Sequence, residues 1–250
     1  MNPFRSLAAA LLALALTTPL TALADPAAAK KALEGRFPND RVESVTATPF
    51  AGLYEGVIDG SRGKVIVYTD ANAEYLMVGG TLLDLRSQPY KDLTEVSMDR
   101  LRAAAARENS ALLKTALDMA VKRVRGTGKR TLITFEDPNC GYCKQLQSEL
   151  VKLNDVTIYT FLWPFLAESS LTKSQAVWCA RDRGEKFEAV MLKNDPAKPA
   201  AGCEYPHAAK VAQMAQKLGL NGTPGIFLAD GTEYAGPRTA AAIDKALGAN

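Results

Sequence analysis

Thr131-Leu132-Ile133-Thr134-Phe135-Glu136-Asp137-Pro138-Asn139-Cys140-Gly141-Tyr142-Cys143 is the stretch on which the reading turns. Residues 131–135 form an apolar β-type run, while Leu146, Leu150 and Leu153 recur at helical spacing over 140–153. Cys140 and Cys143 therefore stand where a strand gives way to a helix. A sulfur at a helix start lies over unpaired backbone N–H groups, where the helix dipole favours a thiolate. Thiolate is the attacking species in disulfide exchange. The second thiol, one turn into the helix, is expected to be more buried and to resolve the mixed disulfide. A structural disulfide or half of a zinc site would use the same spacing. A zinc ribbon, however, needs a second C-x-x-C, and Cys179 and Cys203 have no matching His spacing, so no metal is expected.

Downstream, Gly222-Thr223-Pro224-Gly225 precedes the apolar strand 226–228. Proline is disfavoured inside a central strand, but a cis X-Pro at a strand's start is a tight-turn device. On the residues alone, a cis proline and an ordinary loop proline both stand.

Together, Cys140-Gly141-Tyr142-Cys143 and Thr223-Pro224 resemble the thioredoxin superfamily, in which a cis-proline loop packs against the active-site cysteines. Trp178-Cys179-Ala180-Arg181-Asp182, the stretch through Met191, and Leu218 to Gly231 extend the resemblance to its exported DsbC/DsbG family. The dipeptide Gly141-Tyr142, in place of Pro-Tyr, is similar to the isomerase branch. The resemblance implies an α+β chain: a small N-terminal antiparallel dimerisation domain over 25–90, a helical linker over 91–125, and a thioredoxin-like α/β catalytic domain with a helical insertion over 126–250. It implies that Cys140 is the nucleophile and Cys143 the resolving thiol, with Thr223, Pro224, Gly141 and Tyr142 holding the client. It further implies a structural disulfide between Cys179 and Cys203, worth about 3.5 kcal/mol by loop entropy.

The activity so implied is reshuffling of wrong disulfides in misfolded exported proteins by a homodimer, kept reduced by a DsbD-type membrane partner, with no organic cofactor. A reductase of sulfenylated cysteines, a dedicated oxidase, and a chaperone or scaffold whose thiols are secondary are the competing readings. Thioredoxins carry a buried Asp six residues before the first Cys; Thr134 stands there, an absence that favours isomerase over reductase. Of the nearby acids, strand alternation and Pro138 place Asp137 at a turn. From Thr94 to Phe135 the chain exceeds the family's linker by about three helical turns, ~16 Å, and wider-spaced catalytic domains are expected.

The rest of the chain fits an exported protein. In residues 1–24, Arg5, an apolar run over 7–16 and Ala22-Leu23-Ala24 read as a signal peptide cleaved after Ala24, with a periplasmic destination. That apolar run falls short of the roughly 20 residues a membrane span needs. The 250 residues are 47% hydrophobic and 23% charged, which excludes a disordered or fibrous chain. A net charge of +3 is too small to point to nucleic acid.

Short strands are expected over 42–48, 53–59, 64–69, 74–78 and 82–86. Residues 94–125 read as one long helix, serving as a rigid spacer or packing on its own domain. Beyond 130 the order is strand, helix (140–153), strand (156–161), helical insert (170–193 and 206–219), a hairpin (225–228 and 233–234) and a closing helix over 238–247. Gly126-Thr127-Gly128-Lys129 lacks the flanking residues of a phosphate loop. His207 is expected at the surface, Asn221-Gly222-Thr223 as a fortuitous glycosylation pattern, and Trp163-Pro164-Phe165 as an apolar loop near the cysteines.

Overall fold

The computed structural model describes residues 25–60 and 63–248, so the expected signal peptide lies outside the described residues. The chain forms two compact units, one through Thr81 and one from Leu82.

In the first unit, the Asp25 carboxylate caps helix α1 (Pro26–Arg36) by accepting from the Ala27 and Ala28 N–H groups, with Pro26 in the first turn. Strands β1 (Arg41–Ala47), β2 (Tyr54–Gly60), β3 (Gly63–Thr69) and β4 (Leu76–Val78) follow as an antiparallel meander in that order. Ala29 and Leu33 of α1 close its core over Val42, Val45, Tyr54, Ile58 and Val67. Gly56 permits this approach: a Cβ there would lie 3.1 Å from both the Leu33 and the Val67 side chains. At the far edge of the sheet, Leu76, Met77 and Val78 are all exposed.

The expected strand over 82–86 does not join this sheet. Leu83–Asp84 (β5) pairs with Lys91–Asp92 (β6) in a separate ladder. It is drawn away because the Leu82 N–H donates to Thr94 Oγ1 and its carbonyl accepts from the Leu93 N–H. The first compact unit therefore ends at Thr81.

The long helix is also shorter than the sequence suggests. Helix α2 (Leu93–Lys114), capped by Asp92, stops at Lys114. Residues Leu117–Met119 make a single 3-10 turn, and β7 (Val121–Arg125) enters the catalytic sheet. No Gly or Pro marks this break. Ladder pairing with β9 and burial of Val121 override the helical propensity of the segment. The single helix expected over 94–125 is thereby corrected to a helix, a 3-10 turn and a strand. The final turns of α2 pack on their own unit: Leu113 is fully buried in its core, and Asn109 and Ser110 bond to the carbonyls of Gly231 and Ala229. Gly231 (φ +88) allows that contact, since a Cβ would meet the Ala106 carbonyl oxygen.

The second unit continues with β8 (Arg130–Glu136), α3 (Gly141–Leu150), β9 (Val156–Leu162), α4 (Glu168–Trp178), α5 (Arg183–Leu192), α6 (Ala208–Lys217), β10 (Gly225–Leu228) and α7 (Ala240–Gly248). The sheet order is β10-β8-β9-β7, with β8 and β9 parallel and the outer strands antiparallel to them. Alternation along β8 sends Ile133 and Phe135 to the α6 face, where Phe135 stacks on Phe161 with ring centroids 4.8 Å apart. Leu132 faces Leu146 and Leu150 of α3 and Ile243 of α7. The expected strand at 233–234 reduces to one bridge, Phe227 to Glu233.

Candidate functional site

Cys140 is the N-cap of α3, the position at which a side-chain acceptor meets free N–H groups. Its Sγ accepts the Cys143 N–H at 3.2 Å, and its thiol donates to the Thr223 carbonyl at 3.5 Å. The Thr223–Pro224 peptide is cis, and Pro224 is buried. Strand–helix junction and proline loop thus converge on one sulfur. Gly141 is exposed and Tyr142 is 67% exposed beside it. Both thiols are free, with Cys140 5% and Cys143 0% exposed. Burial, reinforced by the Glu136 carboxylate and by Cys140, pushes the Cys143 thiol far above its ordinary range. It stays protonated at neutral pH.

Two acids that sequence reasoning left at the margin are central to the site. Asp137 is fully buried. Its Oδ1 accepts from the Asn139 N–H (2.7 Å) and the Ser170 hydroxyl (2.7 Å), and its Oδ2 from the N–H groups of Phe165 (2.8 Å) and Leu166 (2.9 Å). It clamps the Trp163-Pro164-Phe165 loop to the segment leading into Cys140. Asn139 adds bonds to Ser169 and Ser170 and accepts from Lys173. Phe165 lies tilted against Trp163, ring centroids 4.5 Å apart, and remains half-exposed, as does Leu166.

Glu136, also fully buried, corrects the expectation that this domain lacks a buried carboxylate near its cysteines. Thr134, at the position where thioredoxins carry Asp, donates to Glu136 Oε1 at 2.7 Å. Both side chains project from the same face of β8, as a two-residue period requires. Gln147, one turn beyond Cys143 on α3, donates to the same oxygen at 2.6 Å. Buried Arg123 of β7 feeds both routes, donating to Gln147 Oε1 (2.6 Å) and to Thr160 Oγ1 (2.9 Å), whose oxygen lies 2.9 Å from that of Thr134. Arg123 also stands 3.5 Å from Glu188 of α5. Burial raises the affinity of Glu136 for a proton, opposed by Arg123 and by the bonds from Thr134 and Gln147.

Away from the thiols, Cys179 and Cys203 are disulfide-bonded. The Arg183 guanidinium lies 3.5 Å over the neighbouring Trp178 ring, and His207 meets that ring edge-on at 4.6 Å. His207 is half-buried here, not a solvated surface residue, and burial lowers its proton affinity. Among the described residues no three His, Cys, Asp or Glu side chains gather as a metal site would require, and no helix is long and apolar enough to cross a membrane.

A family model for a thioredoxin-like domain matches residues 117–249, and one for the disulfide bond isomerase protein N-terminal domain matches residues 20–95. The first takes in β7, in agreement with the sheet. The chain is 39% identical over 209 residues to a probable thiol:disulfide interchange protein DsbC of Bordetella avium, covering 84% of this chain and 70% of that one. It is 31% identical over 108 residues to thiol:disulfide interchange protein DsbC of Escherichia coli K12, covering 42% of this chain and 44% of that one. A crystal structure of a disulfide interchange protein from Neisseria gonorrhoeae aligns with 54% of this chain and 96% of its own at 32% identity and a TM-score of 0.48. With a DsbC N-terminal domain, a thioredoxin-like domain and curated relatives matched over most of its length, the chain belongs to the DsbC family of thiol:disulfide interchange proteins.

Proposed function

We propose that the chain is a periplasmic, homodimeric thiol:disulfide isomerase. The observation that carries this reading is the setting of Cys140: a sulfur at a helix start, accepting a backbone N–H and lying 3.5 Å from the carbonyl of the proline loop. A sulfur so placed can meet a disulfide whose chain runs along Thr223, and thiolate is the species that attacks it. The attack forms a Cys140–client disulfide and releases the other client sulfur as a thiolate. A different client thiolate then displaces Cys140 and leaves a new pairing, with no net change in oxidation. Where none arrives, Cys143 displaces the client and the pair leaves oxidised, needing a dithiol partner of the DsbD type to reset it. Tyr142 between the two cysteines, and Phe165 and Leu166 on the loop held by Asp137, are exposed and suit an unfolded apolar segment.

Dimerisation is supported by the exposed apolar edge strand β4, since an uncapped edge pairs readily with a second copy. Export rests on the reading of residues 1–24. Reactivation of a scrambled multi-disulfide substrate by the mature protein, beside Cys140→Ser, tests the function. Recovery that disappears with Cys140 is the expected result. Recovery that survives the substitution, or none with both thiols intact, refutes the isomerase reading.

A further inference from the structure

Asn139, the residue before the nucleophile, is fixed by α4. Its Nδ2 donates to the hydroxyl oxygens of Ser169 and Ser170, both at 2.9 Å, and its Oδ1 accepts from Lys173 Nζ at 2.6 Å. Ser170 in turn donates to Asp137 at 2.7 Å, which anchors the set to the buried clamp. An ammonium bonded to a side chain one peptide away from Cys140 lies within about 10 Å of the Cys140 backbone.

Lys173 is half-buried, and its ammonium meets Asn139 but, among the described residues, no carboxylate. Other half-buried cations of the same unit are paired: Arg125 with Glu188 at 2.6 Å, Arg130 with Asp244 at 2.8 Å and Lys186 with Asp195 at 2.8 Å. Two acids adjoin the Lys173 network without serving it. Asp137 uses both oxygens on the N–H groups of Asn139, Phe165 and Leu166 and on the Ser170 hydroxyl. Glu168, in the first turn of α4, is exposed to solvent. An ammonium has three N–H donors, and the Asn139 oxygen takes one of them. A tethered, partly desolvated cation of this kind attracts a carboxylate more strongly than one free in water.

We propose that Lys173 is a specificity-determining residue of the exchange site, favouring client disulfides flanked by acidic residues. This rests on the thiol-exchange reading above and adds a substrate preference to it. An extended client advances about 3.3 Å per residue, so a carboxylate two or three residues from the attacked cysteine comes within reach of the ammonium. The chemical step itself is unaltered. The Cys140 thiolate attacks one client sulfur, the Cys140–client bond forms and the client S–S bond breaks. The other client sulfur leaves as a thiolate and takes its proton from solvent. The Cys140 sulfur is oxidised as the leaving sulfur is reduced. What Lys173 changes is how readily an anionic disulfide, against a cationic one, reaches Cys140. Lys144, whose N–H donates to the Cys140 carbonyl one turn into α3, is a second half-buried cation near the sulfur and serves as the comparison.

The test uses three small disulfides, so no protein client has to be identified: oxidised glutathione (anionic), cystamine (cationic) and 2-hydroxyethyl disulfide (neutral). In a Cys143→Ala background the Cys140 adduct accumulates, and acid-quenched mass spectrometry gives its rate of formation. The glutathione and cystamine rates are each divided by the hydroxyethyl rate in the same protein. That division removes any change in the reactivity of Cys140, which a purely structural role would alter for all three probes alike. At low salt, Lys173→Gln should lower the glutathione ratio about threefold and raise the cystamine ratio about threefold. Lys173→Arg should keep both ratios within twofold, and Lys144→Gln should move them less than Lys173→Gln does. With Lys173 in place, salt at about 0.5 M should lower the glutathione ratio and raise the cystamine ratio. That dependence supplies the readout should Lys173→Gln not fold.

Ratios unmoved in Lys173→Gln, ratios indifferent to salt, or a larger change in Lys144→Gln overturns the inference. So does slowing of all three probes by one common factor. Absence of any adduct with all three disulfides while Lys173 is in place overturns both this inference and the thiol reading. A failed substrate reactivation beside the expected ratios overturns the isomerase reading alone.

Discussion

Replacing Asp137 by Asn tests whether the clamp beneath the active site is held by charge and acceptor count rather than by shape. The two side chains are isosteric, but Asn offers one acceptor oxygen where Asp offers two. Asp137 satisfies four donors, three of them backbone N–H groups. With the amide nitrogen in place of Oδ2, both Phe165 and Leu166 lose their acceptor. With the nitrogen in place of Oδ1, only the Asn139 N–H does, because the Ser170 hydroxyl can turn and accept. The second orientation is therefore adopted. It orphans one N–H at about 1–3 kcal/mol, and the two bonds left on Oδ2 each lose about 1 kcal/mol of charge assistance. A neutral amide is less costly to bury, which returns part of the loss, so the net destabilisation is about 3 kcal/mol. Trp163 and Trp178 are the chain's two tryptophans and both lie in the thioredoxin-like domain, so their fluorescence in a urea titration reports that domain. The midpoint should fall with the slope unchanged, and the melting temperature by about 6–12 °C. A loss below about 1 kcal/mol at constant slope would show that shape alone holds the loop, and would refute the reasoning.

Removing the Cys179–Cys203 bridge by a double serine substitution should cost about 3.5 kcal/mol in the same titration while leaving Cys140 alkylation unchanged; altered alkylation would tie the bridge to the site. Met77→Lys places a charge on the exposed edge strand β4, where Met77 is 43% exposed. Sedimentation equilibrium should show a shift from dimer to monomer, and an unaltered dimer would move the interface elsewhere. Burial raises the Glu136 proton affinity above its ordinary value of 4.5. The fold thus binds that proton more tightly than the unfolded chain, and the associated stability is present below 4.5 and lost as pH rises through the raised value. Glu136→Gln cannot lose it, so the stability of the variant minus that of the wild type should grow from pH 5 to pH 8; a flat or shrinking gap contradicts the sign.

The strand–helix junction at Cys140 was legible because it rests on local signals, a β-type run and a helical stripe, whereas the proline ahead of an apolar strand left two conformations open and only the family resemblance chose between them. The break after Lys114 was not legible. Residues 111–124 have high helix propensity and no breaker, and only the pairing of β7 with β9, distant in sequence, makes a strand there the better solution. His207 failed for a related reason, since its partners Trp178 and Tyr205 reach it through tertiary packing around the disulfide. Asp137 sits at the expected turn, yet its importance depends on donors from Asn139, from the loop at 165–166 and from Ser170 of α4, and no single stretch shows these converging.

Glu136 is a different case, because its signal is local and lies two residues along the strand from the position where thioredoxins carry Asp. A strand repeats every two residues, so a carboxylate moved from 134 to 136 leaves neither the strand nor its face. What changes is the side chain's reach and its supports. Glutamate is one methylene longer than aspartate, and Thr134, left in the vacated place, becomes a donor to it. Gln147 then serves as a second donor from the helix that carries Cys143. Substitution at one position of a strand thus leaves open whether its face retains a charge. The face, not the position, is the unit to be read, and by that rule Glu136 keeps a buried carboxylate on the face of the strand that Thr134 alone would have left neutral.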